Sequence, residues 1–342
     1  MSKHFIGVLV AGIGMPLWIT ATAASAATLN DVRSRGQLIC GVAPNAPGFA
    51  AADKQGKVRG FDVDFCRAVA AAVLGDANKY RTSPLGLRDG FATLATGGVD
   101  VLTHRFTWTF NRDNGTGLEF VGTYYYDGQG FVVRKDSGVK SVNDLNGATI
   151  CVAQGSTSEL NIADYFRAHN LTFQIATFGD LDEARNAYEQ RRCDAWSNDR
   201  GTLAARSLGF QHPEEHMMLP ETISKEPISP MVKMSDGEWM HIVRWTLAAT
   251  IAAEELGVTS KNVDEMKQRS SNPEVKRLLG VGENLGQKLG LSADWAYQAI
   301  KQVGNYGEIF DRNLGKGTPL NLDRGLNKLW KNGGLMIAPP FR

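Results

Sequence analysis

The 342-residue chain lacks several features that would direct it toward common functions. Its four cysteines include no C-x-x-C pair, which excludes a zinc ribbon and a thioredoxin-type redox motif. Neither sign of charge dominates: Lys and Arg number 37 against 36 Asp and Glu, and the two are interspersed. The long basic face needed to track nucleic acid is therefore missing. Beyond residue 26 no stretch approaches the ~20 consecutive apolar residues of a spanning helix, and no short-period repeat points to a solenoid. The run His212-Pro213-Glu214-Glu215-His216 looks like metal ligands, but Pro213 breaks helical spacing and no third ligand is evident, so it reads as a solvated loop. Trp108, Trp196 and Trp295 read as core or cleft-wall residues rather than a cofactor box.

What is present begins at the N-terminus. Lys3 forms a short basic segment, an apolar run follows from Phe5 to Trp18, and Ala24-Ser25-Ala26 supplies small residues. This is the pattern of a secretory signal peptide over residues 1–26, cleaved before Ala27. The run is short for a membrane anchor and has no basic stop-transfer flank. The remaining length suits about two domains. Export agrees with the even cysteine count, because an oxidising compartment favours two disulfides; four buried thiols are the alternative.

Two segments read as one unit used twice. The first runs from a strand at Leu38–Val42 through a Pro/Gly loop, a helix from about Asp62 to Leu74, a strand at Tyr80–Pro84 and a helix from Leu87 to Thr96, to a strand at Val99–Thr103. The second runs from a strand at Thr149–Ala153 through a Gly155-Ser156-Thr157 turn, a helix over Glu159–His169, a strand at Thr172–Phe178 and a helix over Leu181–Arg191, to a strand at Cys193–Ser197. Such alternation predicts parallel-type α/β sheets. Residues 128–135 and 228–234 read as two extended crossovers between two lobes. Lobe 1 is expected to comprise 27–133 and 229–342, including a C-terminal helical extension, and lobe 2 to comprise 134–228.

Ligands of open α/β sheets sit beyond the carboxyl ends of the strands. Two such sheets facing across a hinge place the residues after those strands around one cleft: Asn45, Leu87, Arg105, Thr107, Arg112, Ser156, Thr157 and Asp199. Arg112 offers a planar fork that matches a carboxylate. The Gly-Ser-Thr turn opens a helix whose N-terminus attracts an anion. Asp199 can hold an ammonium. Singly, each has a plainer reading, as a surface arginine or an ordinary cap. Together they form a receptor for a zwitterion, with Arg112 and Thr157 on an α-carboxylate and Asp199 on an α-ammonium, since charges buried in a closing cleft must be paired. Disulfides that leave such a hinge free would stay within lobes, as Cys40–Cys66 and Cys151–Cys193. Cys151 and Cys193 each lie six residues before a binding residue, Thr157 and Asp199, which would put them at similar depth on neighbouring strands.

The sequence resembles family 3 periplasmic solute-binding proteins of ABC amino-acid importers. The resemblance rests on Gly60-Phe61-Asp62-Val63-Asp64, the Thr107-x-Thr109-x-x-Arg112 spacing, Gly155-Ser156-Thr157 and Asp194-Ala195-x-x-x-Asp199. Tyr125-Tyr126-Asp127-Gly128-Gln129-Gly130-Phe131, Val303-Gly304-Asn305-Tyr306-Gly307-Glu308 and Ala338-Pro339-Pro340 resemble the general L-amino-acid-binding branch. The resemblance implies a two-lobed type II binding fold and hinge closure on an amino acid. It also implies a periplasmic location, no cofactor, a monomer, and membrane permease subunits as partners. It assigns ligand roles to Thr107, Arg112, Thr157 and Asp199. Where relatives of that branch carry Arg-Asn-Thr, this chain has His104-Arg105-Phe106, so Arg105 could favour an acidic side chain or face solvent. The rival readings are a periplasmic dehydratase for prephenate-like substrates on the same scaffold, for which no paired acid/base set stands out, and a ligand-presenting signalling protein.

Overall fold

The computed structural model describes Met1 and residues 27–342. The expected signal peptide, apart from Met1, lies outside the described residues. After α1 (Ala27–Arg35) and β1 (Leu38–Val42), a short hairpin of β2 (Ala51–Ala52) and β3 (Val58–Arg59) leads into α2 (Phe61–Leu74). β4 (Tyr80–Pro84), α3 (Leu87–Ala95) and β5 (Val101–Thr103) complete the first unit. Next come α4 (Phe110–Gly115), β6 (Leu118–Phe120), β7 (Tyr125–Asp127) and β8 (Gln129–Arg134). The second unit is β9 (Ala148–Ala153), α5 (Thr157–Ala168), β10 (Phe173–Phe178), α6 (Leu181–Glu189) and β11 (Ala195–Asp199), followed by α7 (Arg200–Ser207) and β12 (His216–Met218). The chain returns through β13 (Glu226–Ile228) and β14 (Met231–Lys233) to α8 (Gly237–Glu255), α9 (Val263–Arg269), α10 (Pro273–Leu278), α11 (Trp295–Val303) and α12 (Tyr306–Asn313).

The two five-stranded sheets share one plan. The first has the order β4-β1-β5-β14-β6 and the second β10-β9-β11-β8-β12. In each, three parallel strands from one unit are followed by one antiparallel strand, at which the chain enters or re-enters that lobe, and by an edge strand that pairs antiparallel with it and so runs with the first three. The central strands are buried along their length, as strands covered on both faces must be. One core joins α2, α8, α11 and α12 beneath the first sheet, so the C-terminal helices pack on the first lobe as expected. The second sheet has a core on each face, around Phe131, Ile150 and Phe166 and around Cys151, Tyr188 and Trp196.

Two expectations shift. The crossover lies one strand earlier than residues 128–135, because all of β8 pairs inside the second sheet. The chain crosses instead at β7 and β13, which pair with each other, Asp127 opposite Glu226. Gly128 sits where the crossing segments nearly touch: a Cβ there would lie 2.2 Å from Thr222 Cγ2 and 2.8 Å from the Ser224 carbonyl oxygen. The last strand of the second unit starts at Ala195 rather than Cys193, and Cys151 aligns with Trp196. Cys193 therefore lies ahead of the strand, in the turn after α6, and the equal six-residue spacings do not reflect equal depth. The pairs Cys40–Cys66 and Cys151–Cys193 are nonetheless bonded, with Cα separations of 6.3 and 5.7 Å, each within one lobe.

Candidate ligand-binding cleft

The cleft is assembled from the loop after β5 on one side and the starts of α5 and α7 on the other. The 104–109 loop is stitched to the second crossover: the Trp108 N–H donates to the Pro227 carbonyl, the Ser229 N–H donates to the Phe106 carbonyl, and Thr107 bridges Ile228. Thr109 caps α4 by accepting from the Arg112 N–H at 3.3 Å. This fold-back aims the Arg112 side chain at the cleft, where Nη1 donates to the Thr107 carbonyl at 3.1 Å. Its guanidinium lies 5.5 Å from the Phe106 ring centroid, and Phe106 stacks between Phe91 and His104. A planar cation over aromatic faces is a favourable arrangement.

On the other side, Ser156 precedes α5 without accepting a hydrogen bond from its first turn, and its hydroxyl donates to the Ala153 carbonyl. The positive end of this 12-residue helix thus opens toward the cleft. Asp199 ends β11, is 8% exposed, and its carboxylate accepts no hydrogen bond among the described residues. Burial raises its pKa well above the ordinary aspartate value; Glu226 and Asp127 add to the rise, and Arg105 and Arg112 oppose it. Burial likewise pulls the Arg112 guanidinium below its ordinary value, against Asp199 and Glu226.

Of the expected residues, Leu87, Arg105, Thr107, Arg112, Ser156, Thr157 and Asp199 line one cavity between the lobes. Asn45 does not line it; it is exposed and reaches across the cleft mouth to Asp182 at 3.4 Å. Arg105 does not face solvent. It adopts the left-handed backbone region at φ 63°, stacks 3.8 Å over Phe49 and pairs with Asp127 at 3.3 Å. The metal-like run opens outward: His212, Glu214 and Glu215 are exposed with ligand atoms within 4.8 Å of one another, while His216 bonds Tyr188 Oη at 2.8 Å.

The sequence did not single out Arg206, Asp127 or Glu226 as site residues, and it marked His104 only as a departure from the branch pattern beside the ligand. Arg206 is buried, pairs with Asp182 and donates to the Pro44 carbonyl of the opposite lobe at 2.8 Å. Neutral His104, its pKa lowered to about 4 by burial, contacts the Leu85 carbonyl at 2.5 Å. Asp127 accepts from Arg105 and from the Gly201 N–H. Glu226 lies behind the cavity wall. Its one sequence signal is a carboxylate set just before Pro227 in an otherwise extended segment.

Two α/β lobes joined by paired crossovers, with a guanidinium and a carboxylate facing one cavity from opposite sides, define a bilobal solute-binding protein. Residues 38–316 match the family model, and the chain belongs to the bacterial extracellular solute-binding proteins, family 3. It is 50% identical to the general L-amino acid-binding periplasmic protein AapJ of Rhizobium johnstonii, over 98% of each chain. It is 48% identical to the glutamate/glutamine/aspartate/asparagine-binding protein BztA of Rhodobacter capsulatus, over 95% of this chain and 96% of that one. A solved periplasmic binding protein from Brucella ovis with glutathione bound superposes with a TM-score of 0.90 at 47% identity, covering 92% of this chain and 99% of that one.

Proposed function

We propose that this chain is the periplasmic binding component of an ABC-type amino-acid importer, and that it captures its ligand between two lobes without converting it. The observation that carries the reading is the pair Arg112 and Asp199, which face one cavity from different lobes, neither in an ion pair among the described residues. Arg112 and the start of α5 at Thr157 take the α-carboxylate, and Asp199 takes the α-ammonium. The lobes, divided at β7 and β13, then close on the bridging ligand, because a ligand held by both sides binds the closed state better. Membrane permease subunits receive the closed form, and the signal peptide at 1–26 directs export. The protein acts as a monomer and needs no cofactor.

One relative favours a second ligand class. Glutathione, bound in the Brucella ovis protein, carries a free α-amino and α-carboxyl group at its γ-glutamyl end, which the same clamp would grip. Calorimetry with acidic, amide, basic and apolar amino acids and with glutathione, followed by mass spectrometry of the recovered ligand, tests both readings. Binding of some panel member, recovered unchanged, is expected. Chemical conversion of the ligand would instead favour an enzyme.

A further inference from the structure

Glu226 is a buried carboxylate, 2% exposed, with no cation beside it in the ion pairs of the described residues. Four neutral donors hold it. On Oε2 it accepts from Thr107 Oγ1 and, at 3.2 Å, from Thr157 Oγ1. On Oε1 it accepts from Asn161 Nδ2 and Ser224 Oγ, each at 2.6 Å. These donors belong to three parts of the molecule. Thr107 is in the first-lobe loop, Thr157 and Asn161 are one turn apart on α5 of the second lobe, and Ser224 is on the same crossover as Glu226. The Glu226 backbone pairs with Asp127 of the other crossover. A carboxylate only accepts, so it can gather hydroxyl and amide donors from both lobes onto one group. A buried carboxylate that loses such donors bears a desolvation penalty unless water replaces them.

From this geometry we infer that Glu226 is a positioning residue for ligand capture: it fastens the Thr107 loop to the N-terminus of α5 across the hinge and holds both in the closed arrangement. The inference rests on the reading of the cleft as a closing amino-acid site. Glu226 touches no space a ligand would fill; it acts through Thr107 and Thr157, which line the cavity. When the lobes part, Glu226 must release either Thr107 or the pair Thr157 and Asn161, since these sit on different lobes. It therefore favours the closed form for any side chain the ligand carries.

The experiment combines calorimetry with an interlobe distance, read by pulsed electron spin resonance between labels at Lys54→Cys and His169→Cys, both exposed and on different lobes. Glu226→Gln keeps the shape but removes the charge and exchanges one acceptor oxygen for an N–H₂, which the hydroxyls meet only by turning to accept and Asn161 Nδ2 cannot meet at all. It is expected to lengthen the ligand-free distance distribution and to weaken every bound ligand by the same factor, about tenfold or more for two lost charge-assisted bonds. Asn161→Ala removes a second-lobe donor and should lengthen the distance in the same sense. Ser224→Ala removes a donor on the crossover itself and should leave it unchanged. A distance distribution in both Glu226→Gln and Asn161→Ala identical to that of the unsubstituted chain would overturn the inference, as would an affinity loss confined to one class of side chain. If the unsubstituted chain binds nothing in the panel, the amino-acid reading fails, while the ligand-free distances still decide the role of Glu226.

Discussion

Arg112, half-buried, and Asp199, buried, reach one cavity from opposite lobes, and neither has an ion-pair partner among the described residues. Burying charge costs free energy unless the charge is paired. On the proposed reading, the ligand supplies the opposite charge to each group. Arg112→Ala would leave a bound α-carboxylate without its fork, at a cost of roughly 3–5 kcal/mol. Affinity for every α-amino acid should fall at least a hundredfold in calorimetry, with circular dichroism unchanged. Near-native binding by the folded variant would show that the clamp is misassigned.

The raised pKa of Asp199 sets a pH limit. An ammonium ligand needs the ionised carboxylate, and burial with Glu226 and Asp127 nearby favours the proton. Affinity is thus full at high pH and is lost as pH falls through that raised value, so the acid limb should lie above the ordinary aspartate value of 3.8. Calorimetry from pH 4 to 8 should record it, and Asp199→Asn should flatten the limb while weakening binding throughout. A limb at the ordinary aspartate position in the unsubstituted protein would refute the account.

Asp62 gives a stability prediction of defined sign. It is buried, accepts from Tyr124 Oη at 2.6 Å, and its pKa is pushed by burial to about 7 from 3.8. The folded state then holds a proton that the unfolded state releases between about pH 4 and pH 7. Stability falls as pH rises through that window, by at most about 4 kcal/mol. Asp62→Asn should remove this slope in urea denaturation series taken from pH 4 to 8.

Cys151–Cys193 closes a 42-residue separation inside the second lobe. Replacing both cysteines by serine should cost about 3–4 kcal/mol of stability on the loop-entropy account. Because the bond does not cross the hinge, ligand affinity of the folded variant should change little. Calorimetry at a temperature where the variant remains folded separates the two effects.

Arg105 is occupied by Asp127 and Phe49. Arg105→Ala should therefore destabilise the fold by leaving Asp127 buried without its partner, and Arg105→Ala combined with Asp127→Asn should recover part of the loss. Any drop in affinity is expected across the whole ligand panel. A loss concentrated on glutamate and aspartate would instead identify Arg105 as a reader of acidic side chains.

Much of this architecture was legible in local pattern. The strands at Leu38–Val42 and Tyr80–Pro84 match their expected bounds, and α2 and α3 match theirs to within a residue, because apolar periodicity and Gly stops are short-range signals. Residues directly after those strands could be nominated for the cleft because open α/β sheets place ligands there. The sheet to which an extended segment belongs was not legible. Gln129–Arg134 reads equally well as a linker or a strand, and only its pairing with β11 and β12 settles the matter. Tertiary structure alone also gave Glu226 its place. Its donors Thr107 and Thr157 lie 119 and 69 residues away in sequence, and no local periodicity encodes contacts at that range. Arg105 shows the same division: its side-chain type was plain from sequence, but whether it met solvent, ligand or Asp127 depended on how the crossover passed beneath it.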